Sequence, residues 1–206
     1  MTTVGLRERK YLQARARIER EAVALFTIHG IDGVTVDQIA AAAEVGKGTI
    51  YNHFAAKEDI VAAFLIRLDR QALSEFPGIA VSAATPAEAL IEAAWSLLAA
   101  KADHQGFVRA FLSRLFIADG LTANLAEFQQ TMDAALGTFF RTLQARDDCD
   151  GDADVETLIL TFKTLHLGLS ALWAMEGPPF STARRMTEVE MTLFAKGLAS
   201  CPSSPI

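Results

Sequence analysis

The stretch "TVDQIAAAAEVGKGTIYNHF", from Thr35 to Phe54, constrains the fold of this chain more than any other. It reads as two short helices broken at Glu44-Val45-Gly46. Thr35-Val36-Asp37-Gln38 has the form of a capping box: the threonine hydroxyl accepts from the Gln38 amide, and the Gln38 side chain reaches back. Val34 and Ile39 are spaced for a hydrophobic staple across the same helix start. The first piece is rich in alanine, so it can lie close against a partner. The second sets Lys47, Gly48, Thr49, Tyr51, Asn52 and His53 almost in succession and leaves only Ile50 and Phe54 plainly apolar. A helix so short, with so narrow an apolar edge, must present a polar face to something other than the core.

A short helix, a tight turn and a second short helix form the helix-turn-helix unit. Its second helix enters the major groove of DNA with its N-terminal side chains on base edges. On that reading Lys47 can donate to guanine or to a phosphate, and Gly48 lets the backbone come close. Thr49 can offer its methyl group to thymine or its hydroxyl to a base edge. Tyr51, Asn52 and His53 can donate to phosphates, which set register and not sequence. Lys57, at the next helix start, and the Thr35 cap are further phosphate candidates. Ile50 and Phe54 point inward.

The formal net charge of −6 over 206 residues argues at first against a nucleic-acid partner. The charge is unevenly placed, however. Met1 to Arg20 holds six basic residues against Glu8 and Glu19, whereas the chain from Val61 onward holds eleven Lys/Arg against seventeen Asp/Glu. A basic front end on an acidic body fits a DNA-binding front. Taken alone, that basic run also fits the solvated face of a helix. No apolar run of about 18 residues lacks charge, so neither a spanning helix nor a membrane partner is expected. The N-terminus has no signal-peptide apolar stretch, and the two cysteines, Cys149 and Cys201, fit a reducing cytosol, so the expected location is cytoplasmic.

The remainder reads as helix throughout, with sparse Gly and Pro and no strand-like alternation. A first helix is expected over about Glu8–His29, with Ile18, Ala22, Leu25 and Phe26 as its inner stripe and Gly30 as its stop. A fourth begins near Lys57 and runs until Pro77-Gly78, which is read as the seam between two domains. Thr85-Pro86-Ala87-Glu88 combines a threonine cap, proline in the first turn and glutamate three residues on, and opens a helix to about His104. Further helices are expected over Phe107–Ala118, Leu121–Arg146, Asp152–Glu176 and Thr182–Ser200. The expectation is thus an all-α chain of about nine helices. Residues 1–56 form a three-helix DNA-binding domain, and residues 57–206 form a larger helical domain, with helix 57–76 linking the two.

"TVDQIAAAAEVGKGTIYNHFAAKEDIV" resembles the DNA-binding signature of the tetracycline-repressor (TetR) family of bacterial regulators. The resemblance covers roughly Arg9 to Leu68 and rests above all on "KGTIYNHF" followed by "KE". It implies that Thr35, Lys47, Gly48, Thr49, Tyr51, Asn52, His53 and Lys57 are the DNA-contact positions. It also implies a homodimer, joined through the last two helices, that binds an inverted repeat of double-stranded DNA. Within such a dimer the larger domain would hold a small-molecule effector, and the protein would most often act as a repressor. The family usually has glycine where this chain has Glu44. If that position needs a positive φ, a non-glycine residue costs on the order of 1 kcal/mol. An interaction module of the same fold without DNA binding is the alternative reading.

Aromatic residues cluster in the larger domain: Trp95, Phe107, Phe111, Phe116, Phe128, Phe139, Phe140, Phe162 and Trp173. Together they suit a cavity for an apolar or aromatic ligand. The pocket expectation names Trp95, Phe107, Phe111, Phe128, Met132, Phe162 and His166. His166, on an otherwise apolar helix, is either a satisfied core histidine or a polar anchor in that pocket. No nucleophile–base pair supports an enzyme, and no cofactor or metal is called for. "DDCDGDAD" fails as a calcium loop: counted from Asp148, its sixth position is Ala153 and its twelfth Ile159, where glycine and glutamate are required.

Overall fold

A computed structural model of the chain describes residues 5–115, 123–146, 148–149 and 153–198. Phe116, Cys201, half of the acidic stretch from Asp147 and the expected helix ends at Ala118, Leu121, Asp152 and Ser200 lie outside the described residues. The described residues form α-helices with one short 3₁₀ turn and no strand.

Helix α1 (Leu6–His29) buries Ile18, Ala22 and Phe26 on one face. It stops where Gly30 takes a φ of 72° and its N–H reaches back to the Phe26 carbonyl at 2.9 Å. Helices α2 (Val36–Ala42) and α3 (Lys47–His53) follow. The capping box at Thr35 is present: Gln38 N donates to Thr35 Oγ1 at 3.2 Å, and Thr35 N donates to Gln38 Oε1 at 2.8 Å. Val34, Ile39, Ala43, Ile50 and Phe54 are all buried where α1, α2 and α3 meet. The small side chains of α2 thus allow three short elements to share one core.

Helix α4 (Lys57–Leu73) starts where Asp59 Oδ2 accepts from Ala56 N at 2.9 Å. It packs on α1 at one end and on the body helices α6, α7 and α8 further along. The expected seam at Pro77-Gly78 is corrected. Helix α4 ends at Leu73, and Pro77 lies in the first turn of a separate helix, α5 (Phe76–Ser82). Proline is tolerated there because the first-turn N–H has no intrahelical partner anyway. Phe76 is fully buried, 5.3 Å from the Phe139 ring, so the segment is core.

Helix α6 (Pro86–Ala99) opens at the Thr85 cap as expected, with Glu88 N donating to Thr85 Oγ1 at 3.1 Å. It ends earlier than expected, and a 3₁₀ turn over Ala102–His104 leads into α7 (Gln105–Leu115). Helices α8 (Ala123–Gln144), α9 (Val155–Glu176) and α10 (Ser181–Leu198) complete the body. Asp154 caps α9 by accepting from Thr157 N at 2.9 Å. The Glu176 carboxylate accepts from Thr182 N and Ala183 N at 2.7 and 2.8 Å, which seats the start of α10 on the end of α9. Helix α10 lies along α6, and α9 touches α6, α7, α8 and α10.

By length and a mean hydropathy of 1.4, α9 could cross a membrane. Packing argues for a different reading. Phe162, Leu169 and Trp173 are buried in the body, and Lys163 Nζ donates to Asp133 Oδ1 on α8 at 2.7 Å. A core helix covered on several sides has the same composition.

Candidate nucleic-acid interface and ligand pocket

Helix α3 presents Lys47, Gly48, Tyr51 and Asn52 to solvent, with Thr49 partly covered and Ile50 buried beneath them. Thr35 is exposed beside them at the start of α2. The side chains expected to meet DNA therefore share one surface, apart from two. The His53 imidazole is buried, 4.2 Å from the Tyr11 ring, and the His53 carbonyl accepts from Arg15 Nη1 at 2.7 Å. Burial, with the nearby Arg15 charge as the lesser cause, holds its pKa below the usual imidazole value. His53 fastens the end of α3 to α1; its side chain is not presented to a phosphate. Lys57 is half-buried, and its Nζ donates to the carbonyls of Ile31 and Val34 at 2.7 and 3.3 Å. It holds the α1–α2 loop to the start of α4.

Lys47 remains outward, but its ammonium rests on the Asp37 carboxylate at 3.0 Å. That hydrogen bond, and then the charge of Asp37, raise the lysine's pKa. A phosphate must displace Asp37 to use this cation fully. Sequence reasoning missed Tyr11, Arg15 and Asp37. For the first two a signal existed, because residues four apart on α1 share a face, and Arg15 also lies over the Phe54 ring at 4.2 Å.

Glu44 adopts a φ of 51° in the turn between α2 and α3. This is the left-handed conformation that glycine takes without steric cost. Among the described residues its one ion-pair contact is an exposed one to Arg17 at 3.9 Å, a kind worth little. Glu44→Gly should stabilise the fold by about 1 kcal/mol and raise the melting temperature by roughly 2–4 °C. Thermal denaturation of the two proteins checks this, and an unchanged or lowered Tm would show that the turn is unstrained.

In the body, a cavity of about 280 Å³ opens between α4, α7, α8 and α9. Of the seven residues expected there, Phe111, Phe128, Met132, Phe162 and His166 line it. Trp95 and Phe107 do not. Trp95 lies under the Arg184 guanidinium at 4.8 Å, where α6 meets α10. Phe107 is packed edge-on to Phe26 and Phe64, at 6.2 and 5.8 Å, where α7 meets α1 and α4. Aromatic character alone does not distinguish a pocket wall from a joint between helices.

The cavity also holds polar groups that were not foreseen. Lys101 Nζ donates to the Asp69 carboxylate, and both side chains are largely buried. Burial raises the Asp69 pKa, against the pull of the Lys101 charge. The pair is invisible in sequence because its members lie far apart along the chain, on α4 and beyond α6. The His166 ring stacks on Phe162 at 6.1 Å and lies 3.4 Å from Ser170 Oγ through Nε2. Its Nδ1 is buried with no hydrogen-bond partner among the described residues. His166 is therefore both a packed core residue and a pocket residue. Among the described residues no cluster of three His, Cys, Asp or Glu could hold a metal ion.

Burial, and secondarily the Lys101 charge, pushes the His166 pKa down to about 3. The unfolded chain takes up a proton near the ordinary histidine value, while the folded protein resists until far lower pH. The stability contributed is therefore complete above about pH 6.5 and is lost as pH falls toward the folded value, about 2 kcal/mol of it by about pH 5. Urea titrations at pH 7 and pH 5 should show the parent losing about 2 kcal/mol more than His166→Phe. Equal losses in the two proteins would mean that His166 titrates normally.

A solvent-facing recognition helix held on a three-helix core, and joined by α4 to a helical body, defines a helix-turn-helix transcriptional regulator. Residues 18–64 match the family described as bacterial regulatory proteins, tetR family. The HTH-type transcriptional regulator TcmR of Streptomyces glaucescens is 28% identical over 176 residues, covering 82% of this chain and 76% of TcmR. Solved structures share the fold. FadR of Thermus thermophilus, a TetR-family repressor in complex with lauroyl-CoA, has a TM-score of 0.75 at 22% identity, over 93% of this chain and 99% of that one. FadR of Bacillus subtilis, in complex with stearoyl-CoA, has a TM-score of 0.63 at 18% identity, over 89% and 98%. The chain is a DNA-binding transcriptional regulator.

Proposed function

We propose that this regulator is a repressor that binds an inverted-repeat operator as a homodimer and is released by a small apolar or aromatic effector in the body cavity. The observation that carries this reading is the course of α4. Its first residue, Lys57, holds the loop beneath the recognition unit, and Leu65, Ile66 and Asp69 further along line the cavity. A ligand between α4 and α9 can therefore favour one setting of α4 over another, and packed interiors transmit such a displacement. Thr35, Lys47, Gly48, Thr49, Tyr51 and Asn52 form the DNA-facing set, on a reading domain that ends near residue 56. The protein acts where its DNA is, in the cytoplasm, and its function requires no catalysis.

The surface of the last two helices supports dimerisation. Leu160 and Leu167, two turns apart on α9, are exposed, as are Val189 and Leu193, one turn apart on α10. Exposed leucines at that spacing form a stripe that a second copy would cover. A two-fold dimer presents its two recognition helices to successive major grooves, hence the inverted repeat.

Selection on random duplex DNA, followed by gel shift, tests the reading. The parent should enrich an inverted repeat. Tyr51→Ala should weaken binding to all sequences about equally, because its target is phosphate. Thr49→Ala should change preference at particular base pairs by roughly 1–3 kcal/mol. Enrichment of the same site by Thr49→Ala and the parent would remove Thr49 from base reading, and the absence of any enriched sequence would defeat the proposal.

A further inference from the structure

The charge arrangement of the cavity constrains what can enter it. Its walls are aromatic and aliphatic, with Phe111, Phe128, Phe162 and Val108 among them. Its polar groups converge. Lys101 pairs with Asp69, its charge is felt by His166, and His166 lies beside Ser170. The two cations among the described lining residues are both committed: Lys101 to Asp69, and Lys163 to Asp133 at 2.7 Å. An anionic ligand would have to pull Lys101 from Asp69 and leave a buried carboxylate alone, which is costly. A cationic ligand would do the same to Lys101. Neutral His166 supplies no charge, yet its buried Nδ1 has no hydrogen-bond partner among the described residues, and a neutral donor or acceptor on a ligand can satisfy it. The volume of about 280 Å³ suits a compact molecule, at the small end of ligand pockets.

We propose that the cavity selects an uncharged, compact ring compound carrying a hydroxyl or keto group, read by His166 and the Asp69–Lys101 pair, and that it rejects carboxylates and acyl-CoA thioesters. This rests on the reading of the cavity as the effector site. It separates this regulator from the two solved relatives that hold acyl-CoAs. The phosphates of such a ligand need uncommitted cations, and the described lining residues offer none. The flat rings of Phe162 and His166, stacked at 8° between planes, favour a planar ring over a flexible chain.

The test is calorimetry on the full-length protein at neutral pH with β-naphthol, naphthalene, β-naphthoate and lauroyl-CoA. β-Naphthol should bind about tenfold more tightly than naphthalene, the worth of one well-made buried hydrogen bond, and more tightly still than the two anions. His166→Phe keeps the ring stack on Phe162 and should bring the naphthol-to-naphthalene ratio close to one. Should that variant misfold by circular dichroism, the paired change Asp69→Leu with Lys101→Met removes the ion pair without stranding either charge and should reduce the same ratio. Tighter binding of β-naphthoate or lauroyl-CoA, no binding of β-naphthol, or an unchanged ratio in the folded variant would each overturn the proposal. If β-naphthol binds as expected while the protein fails to bind or release its operator in gel shift, the pocket assignment stands and the repressor reading fails.

Discussion

Raising salt from about 50 to about 200 mM should weaken operator binding about 10³-fold, if the dimer neutralises about six phosphates. The expectation follows from the counterions that cations release on reaching DNA; uncharged donors such as Tyr51 and Thr49 release few. The structure changes which cations do this work. Lys57 is occupied by the Ile31 and Val34 carbonyls, and His53 is buried, with its pKa lowered by that burial. What remains is Lys47 with the basic residues along α1, of which Arg7, Arg9 and Lys10 are exposed. Lys47 must first leave Asp37, so Asp37→Asn should raise affinity at low salt without altering the preferred sequence. Fluorescence anisotropy with a labelled operator across a salt series measures the slope. A flat dependence would mean that binding is not anchored on phosphates.

The second large effect concerns the ion pair in the cavity. Lys101→Met strands the Asp69 carboxylate in a buried site and should cost about 3–5 kcal/mol, which for a chain of this length lowers the melting temperature by roughly 6–20 °C. Adding Asp69→Leu to that variant should recover most of the loss, because two apolar side chains of similar bulk do not leave an unpaired charge. The pH dependence is a further check. Burial already raises the Asp69 pKa, and loss of Lys101 removes the opposing influence. The folded variant then takes up a proton before the unfolded chain does, so its deficit should shrink as pH falls. Unlike operator binding, this pair is shielded from solvent and should respond little to salt. Urea denaturation of the parent, the single variant and the double variant decides the matter. A single variant as stable as the parent would show that the pair is solvated and cannot govern what enters the cavity.

Local chemistry made the front of the chain legible. The Thr35-to-Gln38 capping box, the Gly30 stop, the buried Ile50 and Phe54 and the positive φ at Glu44 all depend on neighbours within a few residues, and such patterns are written in order along the sequence. The Thr85 cap of α6 was legible for the same reason. Pro77-Gly78 misled because proline ends one helix and begins another with equal ease. Only placing Phe76 against Phe139 distinguishes the two cases.

The sequence by itself determined an all-helical chain, a polar recognition helix on a small apolar core, and a body rich enough in aromatic residues to enclose a cavity. The tertiary structure alone decided which polar groups are free to act. His53 and Lys57 look like phosphate contacts in a motif, but Tyr11 and Arg15 hold the first, and the Ile31 and Val34 carbonyls the second. Asp69 and Lys101 look like unrelated surface charges until α4 and the end of α6 bring them together beside His166. Helical period records which face of an element is buried, but not which distant element it meets. Charge pairing, burial and pKa depend on that meeting, and so became visible only when the helices were packed.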